Sequence, residues 1–262
     1  MRMRLRRPLL FCAAAVLLCC SLAKAQTDFT VVPRHLVVAR ELVENIKPED
    51  NQYTLRERSI SFPGDIFSNK YAMRADCSGF LLAIFERAKY STQSKMSFLE
   101  WTPNRKKHTA EDFVLSIEKE GGFTRITKVE DLKPGDVLAH AMLNVEDKRK
   151  TGTTGHVFLI NGQPKQIVPR KPIVEETRQF EVSVIDSNEA YTGDDDSRLA
   201  DPSNKVKGLG KGTIRLYADS SGELVGWATT FKTSTRFFSY NPRFPSETKA
   251  RKAAMGRPVA GI

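Results

Sequence analysis

The sequence has 262 residues, of which 40% are hydrophobic and 27% charged, and its formal net charge is +10. Such a chain is typical of one globular domain, and it is long enough to fold without a disulfide framework or a structural metal. No segment resembles a nucleic-acid-binding module, so the basic balance does not predict nucleic acid as a partner.

The first 25 residues are typical of a secretory signal peptide. Four arginines within residues 1–7 precede an apolar run over 9–22, and Ala23-Lys24-Ala25 has small residues at the two positions that a signal peptidase reads. We therefore expect cleavage after Ala25, a periplasmic or secreted mature chain, and no transmembrane span after processing. The alternatives are an uncleaved anchor and a lipoprotein attached through a cysteine of the apolar run.

Cleavage leaves Cys77 as the sole cysteine, because Cys12, Cys19 and Cys20 lie in the signal. A lone cysteine in an exported chain is buried and inert, paired between chains, or a working thiol. The signal also holds five basic residues and no acidic one, so the charge of +10 falls to +5. This charge suits an anionic envelope surface, and it equally suits ordinary solubility.

Helical patterns come first in the mature chain and strand patterns follow. Three segments have the apolar spacing of amphipathic helices: 33–46, 77–90 and 109–118. Five later segments have strand patterns: 137–139, 156–160, 182–185, 213–217 and 224–230. This order predicts an α+β fold, with N-terminal helices packed on an antiparallel β-sheet. The tail, 241–262, is rich in Pro, Lys, Arg and Ala, and we expect it to be disordered.

The start of the second predicted helix suits a nucleophilic thiol. Cys77 follows Asp76, a typical helix N-cap, and precedes the small Ser78 and Gly79, which leave room for a substrate over the sulfur. A helix N-terminus concentrates unpaired N–H groups and partial positive charge, which favour a thiolate. The charge of Asp76 opposes the thiolate, so an imidazolium is also required. The backbone N–H of Cys77 is a candidate oxyanion donor.

The base for such a thiol is expected to be one of the four histidines. His156 opens a predicted strand and is the first candidate, and His140 is the second. Asp186 follows another strand, where its carboxylate can orient a histidine and fix its tautomer, with Asn188 as the nearest substitute. The structural alternatives are Cys77 as a small core residue, His156 as a strand histidine with satisfied hydrogen bonds, and Asp186 as a turn residue.

Three motifs in this order resemble those of the NlpC/P60 family: Asp76-Cys77-Ser78-Gly79-Phe80, Leu132-Lys133-Pro134-Gly135-Asp136-Val137 and Gly155-His156-Val157. The matching stretch runs from about residue 73 to about residue 187. The resemblance implies a papain-like fold, a Cys-His dyad with a third polar group, and hydrolysis of amide bonds, often in peptidoglycan peptides. The sequence departs from the family at the third member, which is commonly histidine and is Asp186 here.

The sequence therefore predicts an exported cysteine hydrolase with residues 26–240 as its hydrolase domain. Cys77 is the expected nucleophile, His156 the base and Asp186 the residue that orients it. Peptidoglycan or another envelope component is the expected substrate, and the oligomeric state is left open. The alternatives are an acyltransferase or lipid-directed thiol hydrolase on the same fold, and a catalytically silent domain that binds the envelope.

Two further patterns are interpreted as structural. Asp194-Asp195-Asp196 lacks the glycine and terminal glutamate of an EF-hand, so it predicts a solvated acidic loop. Gly208, Gly210 and Gly212 precede a strand rather than a helix, so they predict a flexible turn and not a phosphate-binding loop. The sequence predicts neither a metal site nor a cofactor site.

Overall fold

The structure, a computed structural model, describes residues 32–66, 68–88, 108–200, 206–232, 235–244 and 251–259. Its α-helices are α1 (Arg34–Asn45), α2 (Cys77–Arg87), α3 (Ala110–Glu118) and α4 (Val145–Thr151). Its strands are β1 (Asn51–Gln52), β2 (Ser59–Ser61), β3 (Ala72–Arg74), β4 (Phe123–Ile126), β5 (Val137–Met142), β6 (Gly155–Ile160), β7 (Lys165–Ile167), β8 (Arg178–Asn188), β9 (Gly208–Ala218), β10 (Leu224–Ala228), β11 (Phe238–Ser239) and β12 (Arg251–Pro258).

Most of the strands form one antiparallel sheet. Its order is β11-β10-β9-β8-β6-β5-β12-β4, and β7 pairs with β8 to make the ninth strand. A small sheet of order β1-β3-β2 lies before α2, with β1 parallel to β3. Strands thus dominate the architecture of the described residues, and the helices are short and few.

The predicted α+β fold, with papain-like N-terminal helices on a sheet, is therefore wrong. The protein is mainly β, because β8 and β9 extend far beyond the short segments that the sequence indicated, and because β11 and β12 were not indicated at all. β8 and β9 have 11 residues each and pair along their whole length, from Arg178 opposite Ala218 to Asn188 opposite Gly208. Pairing along a long ladder stabilises residues that have weak strand propensity by themselves.

The tail, 241–262, was predicted to be disordered, and this prediction is wrong for β12. This strand lies inside the sheet between β5 and β4, with Ala254 opposite Ala139 and Met255 opposite Ile126. Ala254 and Met255 are buried. The partners of β12 lie more than 100 residues earlier in the chain, so no local pattern indicated the pairing. The chain boundary predicted at residue 240 consequently cuts through the sheet.

The large sheet buries both of its faces. Alternate residues of a strand point to opposite sides, and Ala139 and Val157 pack with α1, α2 and α3 in one apolar cluster. Leu138 and Phe158 face the other way and pack with residues of β8, β9, β10 and β12. We call this second side the inner face, because the sheet curls around it.

The curl brings strands together that are distant in the sheet order. Residues at the two ends of the sheet meet where Lys128 bridges Glu223, and Val129 N donates to Gly222 O at 2.9 Å. Across the inner face, the ring centroid of Phe158 on β6 lies 5.2 Å from that of Trp227 on β10. Buried side chains from seven strands, β4, β5, β6, β8, β9, β10 and β12, therefore share one interior.

The helix predicted to carry the nucleophile is present, from Cys77 to Arg87, and residues 89 and 90 lie outside the described residues. Phe80, Leu81 and Ile84 share its buried face. The first helix begins directly after Pro33, and the third follows Thr109. No described helix has the length and apolar character needed to cross a membrane. The predicted signal, 1–25, lies outside the described residues.

Candidate active site

The N-terminus of α2 positions the thiol. Cys77 is the first residue of α2, and its side chain is almost entirely buried. Asp76 caps the helix, since its Oδ1 accepts a hydrogen bond from Gly79 N at 2.6 Å. Ser78 Oγ donates to His108 O at 2.8 Å and anchors the same turn. The predicted cap is confirmed, and the sulfur lies where the unpaired N–H groups of a helix start are concentrated.

A glycine allows β6 to bring His156 close to β5. Gly155 has a φ of +149°, and a Cβ at this position would lie 1.9 Å from His140 O. Any side chain would therefore push β6 away from β5 at the point where His156 follows. His156 lies opposite His140 in the ladder, on the inner-face side of the sheet.

The structure brings together the three residues predicted from the sequence. His156 Nε2 lies 2.8 Å from Asp186 Oδ2. The thiol of Cys77 lies close enough to His156 to raise the pKa of the imidazole. Because an ionised Asp186 only accepts, Nε2 carries the proton of this pair, and Nδ1 is the ring nitrogen left for the thiol. The arrangement is a thiol, an imidazole and a carboxylate in series.

The electrostatics of the site favour a charged imidazole. Burial opposes the charge on His156, whose side chain is 12% exposed. Attraction to Cys77 and the hydrogen bond with Asp186 outweigh that cost, and together they raise the pKa of His156 well above its ordinary value. The geometry therefore favours a charged imidazolium at His156, beside the sulfur of Cys77.

Asp186 stays ionised although it is 1% exposed. Burial raises its pKa, but the hydrogen bond from His156 and the charge of Arg198 together hold the pKa of Asp186 below its ordinary value. Arg198 Nη2 donates to Asp186 Oδ1 at 3.1 Å, and Thr192 Oγ1 donates to Oδ2 at 2.8 Å. Asn188, the predicted substitute for Asp186, instead supports it through a longer bond of 3.3 Å.

Arg198 was missed by the sequence analysis, and so was its second partner. Asp196 is buried and pairs with Arg198 Nη2 at 2.5 Å, so the interpretation of the acidic run as a solvated loop is wrong for this residue. Arg198 also donates to Gly208 O at 2.6 Å. A buried guanidinium with two carboxylates forms a closed, charge-assisted network behind Asp186.

The glycine triplet belongs to β9 and is not a flexible turn, so that interpretation is also wrong. Gly210 lies opposite Asp186 in the ladder, and a Cβ there would lie 2.5 Å from Arg198 Nε. A Cβ on Gly212 would lie 1.7 Å from Thr192 O. Alternate glycines in a strand were the available signal, because they indicate close approach of another segment. Here that segment carries Arg198 and Thr192.

Tyr53 is a further residue near the site that the sequence did not indicate. Burial raises its pKa, and the nearby negative charges of Cys77, Asp76, Glu189 and Asp186 raise it further. The residue follows β1, where its N–H donates to Lys207 O at 3.1 Å. A neutral phenol therefore lies within electrostatic reach of the thiol.

His140, the second candidate base, lies beside His156 and not between it and Asp186. The two ring centroids are 6.2 Å apart. Burial, with smaller contributions from the charges of Arg251 and His156, lowers the pKa of His140 well below its ordinary value. His140 is consequently neutral at physiological pH, and it is His156 that makes the hydrogen bonds expected of the base.

Sequence comparison relates the chain to a viral protein. It is 29% identical to the uncharacterized protein R653 of Acanthamoeba polyphaga mimivirus over 213 residues. The match covers 78% of this chain and 91% of that protein. No family model matches the chain, and no solved structure matches it. The resemblance to the NlpC/P60 family stays a prediction from three motifs, and the geometry of the site carries the functional argument.

Proposed function

We propose that this protein is an exported cysteine hydrolase that cleaves an amide bond in cell-wall peptidoglycan peptides. The observation that supports it is the hydrogen bond between His156 and Asp186, with the thiol of Cys77 beside the same imidazole. The proposal depends on the side chains and not on a papain-like fold, since the same constellation recurs on unrelated folds.

In the proposed reaction, the Cys77 thiolate attacks the carbonyl carbon while His156 holds the proton. The backbone N–H of Cys77, at the first position of α2, donates to the developing oxyanion. His156 then gives its proton to the leaving amine as the C–N bond breaks, and a thioester remains on Cys77. A water molecule, deprotonated by His156, hydrolyses the thioester and restores the thiol.

The supporting residues have separate tasks in this proposal. Asp186 stabilises the imidazolium and fixes the proton on Nε2, so that Nδ1 faces the thiol. Arg198 and Thr192 hold the Asp186 carboxylate in place. They act through Asp186 and are positioning residues.

The test is incubation of the purified mature chain with peptidoglycan fragments, followed by mass spectrometry of the products. We expect cleavage at one kind of amide bond, and no cleavage by Cys77→Ala. Lys252→Gln is a suitable control, because Lys252 is an exposed cation paired with Glu118. Binding of the fragments without cleavage by the wild-type chain would instead support the silent envelope-binding domain. Transfer of an acyl group to an added amine would support the acyltransferase.

A further inference from the structure

Four side chains around His140, the neighbour of His156, carry buried hydrogen-bond donors that have no acceptor among the described residues. They are His140, Trp227, Tyr240 and Arg251, which we call the donor cluster. The ring centroid of His140 lies 5.4 Å from that of Trp227 and 5.8 Å from that of Tyr240. His140 Nδ1 lies 3.5 Å from Arg251 Nη1. The cluster thus gathers residues of β5, β10 and β12, and one residue that follows β11, on the inner face.

Each member contributes one unpartnered atom. His140 Nε2, Trp227 Nε1, Tyr240 Oη and Arg251 Nε are buried and have no hydrogen-bond partner within the described part of the chain. His140 is 2% exposed and Trp227 is 6% exposed. Leaving one buried polar group unpaired costs about 1–3 kcal/mol, and native proteins satisfy the great majority of such groups. Four together indicate acceptors that the described residues do not supply.

The four atoms are all donors. Trp227 Nε1 and Arg251 Nε only donate. Because Arg251 Nη1 is also a donor, His140 Nδ1 accepts in that contact, which places the proton of the neutral ring on Nε2. Burial raises the pKa of Tyr240 well above its ordinary value, against a smaller opposing effect of Arg251, so its hydroxyl keeps its proton.

The cluster also has a net positive charge. Arg251 forms no ion pair with any carboxylate of the described residues, and its guanidinium lies 4.7 Å from the ring centroid of Phe238. The positive charge of the cluster is that of Arg251, because the charge of His156 is balanced by its pair with Asp186, which also accepts from Arg198 and Thr192. Four donors with one positive charge that no described carboxylate neutralises match an oxyanion, above all a planar carboxylate.

We propose that the donor cluster binds a carboxylate of the substrate, close to the bond that Cys77 attacks. This inference rests on the proposed hydrolase function. The ring centroid of His140 lies 6.2 Å from that of His156, and one extended residue spans about 3.5 Å. The substrate class is therefore peptides that carry a free carboxylate within roughly two residues of the scissile amide.

Trp227 provides a binding test that needs no thiol chemistry. The chain has two tryptophans, so the indole N–H resonance of Trp227 is assigned with a Trp101→Phe variant. We expect N-acetylglycine to shift this resonance saturably, with an affinity about tenfold to a hundredfold higher than N-acetylglycinamide, because a charge-assisted hydrogen bond is lost in the amide. Arg251→Gln should abolish that preference, and Lys252→Gln, the next residue on the same strand, should keep it.

A second experiment tests whether a carboxylate bound at the donor cluster lies close to the thiol of Cys77. Chloroacetylglycine and chloroacetylglycinamide alkylate a thiolate by displacing chloride, and they differ only in the charge of the end group. We expect Cys77 to react about tenfold faster with the carboxylate reagent, and Arg251→Gln to equalise the two rates. Tyr240→Phe should also reduce the ratio of the carboxylate rate to the amide rate. This variant replaces Arg251→Gln in the experiment if Arg251→Gln fails to fold.

The two experiments give different results if the carboxylate site is wrong and if the hydrolase function is wrong. If Cys77 reacts with the neutral reagent but Trp227 shows no saturable shift with N-acetylglycine, the carboxylate site is wrong and the hydrolase proposal stands. If the resonance responds but no reagent labels Cys77, the nucleophile is wrong and the anion site stands. A response to inorganic phosphate with none to carboxylates overturns the proposed ligand. An Arg251→Gln variant that keeps the wild-type preference overturns the cluster.

Discussion

Arg198 forms an ion pair with Asp186 in which Nη2 and Oδ1 lie 3.1 Å apart and both side chains are 1% exposed. The same guanidinium pairs with Asp196 through Nη2, and its Nε also donates to Asp196. Three buried charges therefore form a network behind His156. This network affects both the stability of the fold and the protonation of His156.

Removal of the Arg198 charge is expected to destabilise the fold strongly. Arg198→Met leaves Asp186 and Asp196 buried without their cation, a situation that costs about 3–5 kcal/mol. Arg178→Met is the matched control, because Arg178 pairs with the partly exposed Glu130 at the surface and should lose at most about 1 kcal/mol. Urea unfolding of both variants measures the difference. Equal losses would show that the buried network adds nothing beyond an ordinary surface pair.

Replacement of Asp186 should change both the rate and its pH dependence. Asp186→Asn keeps a hydrogen-bond acceptor for His156 Nε2 but removes the charge that raises the pKa of His156. The alkaline limb of kcat/KM, where the imidazolium loses its proton, should therefore move to lower pH. Asp186→Ala should cost about tenfold to a thousandfold, more than Asp186→Asn and less than His156→Ala. A folded, fully active Asp186→Ala would assign the third member to another residue.

The thiol of Cys77 should react in the folded protein. With His156 charged beside it, we expect iodoacetamide to label Cys77 at pH 6–7 faster than it labels glutathione. His156→Ala should slow the labelling, since the imidazolium that stabilises the thiolate is lost. Mass spectrometry of the mature chain measures one added group, because Cys77 is then its sole cysteine. Protection until denaturation would identify Cys77 as an inert core residue.

Stability should fall as the solution becomes acidic, partly through His35. Burial lowers the pKa of His35 from 6.5 to about 4, against the opposing hydrogen bond to Gly135 O at 2.7 Å. The unfolded chain therefore binds the proton first. The stability due to neutral His35 is fully present above pH 6.5 and is lost as the pH falls towards 4, by on the order of 3 kcal/mol.

His35→Gln tests this linkage. Glutamine keeps a donor for Gly135 O but does not titrate. The His35→Gln variant should therefore lose less stability between pH 7 and pH 4 than the wild type does. His140 is also held neutral by burial and leaves a residual acid dependence in the variant. Urea midpoints at several pH values measure the slopes, and parallel slopes for variant and wild type would contradict the role of His35.

Local chemistry in the sequence was sufficient for the parts of the site that depend on neighbouring residues. The cap at Asp76, the buried face of α2 and the strand that begins at Gly155 follow from preferences acting over a few positions. The sequence also predicted Cys77, His156 and Asp186 as the site residues, and the structure places His156 between a hydrogen bond to Asp186 and the nearby thiol of Cys77.

Tertiary structure alone decided the sheet and the surroundings of that series. β12 lies in the sheet beside β5, whose residues precede it by more than 100 positions. Long-range pairing of this kind makes the fold mainly β, where the sequence predicted α+β. Arg198 reaches Asp186 because Gly210 has no side chain. Trp227 reaches His140 because the sheet curls. Such contacts depend on which distant segments bury their apolar faces together, and no short stretch of sequence contains that information.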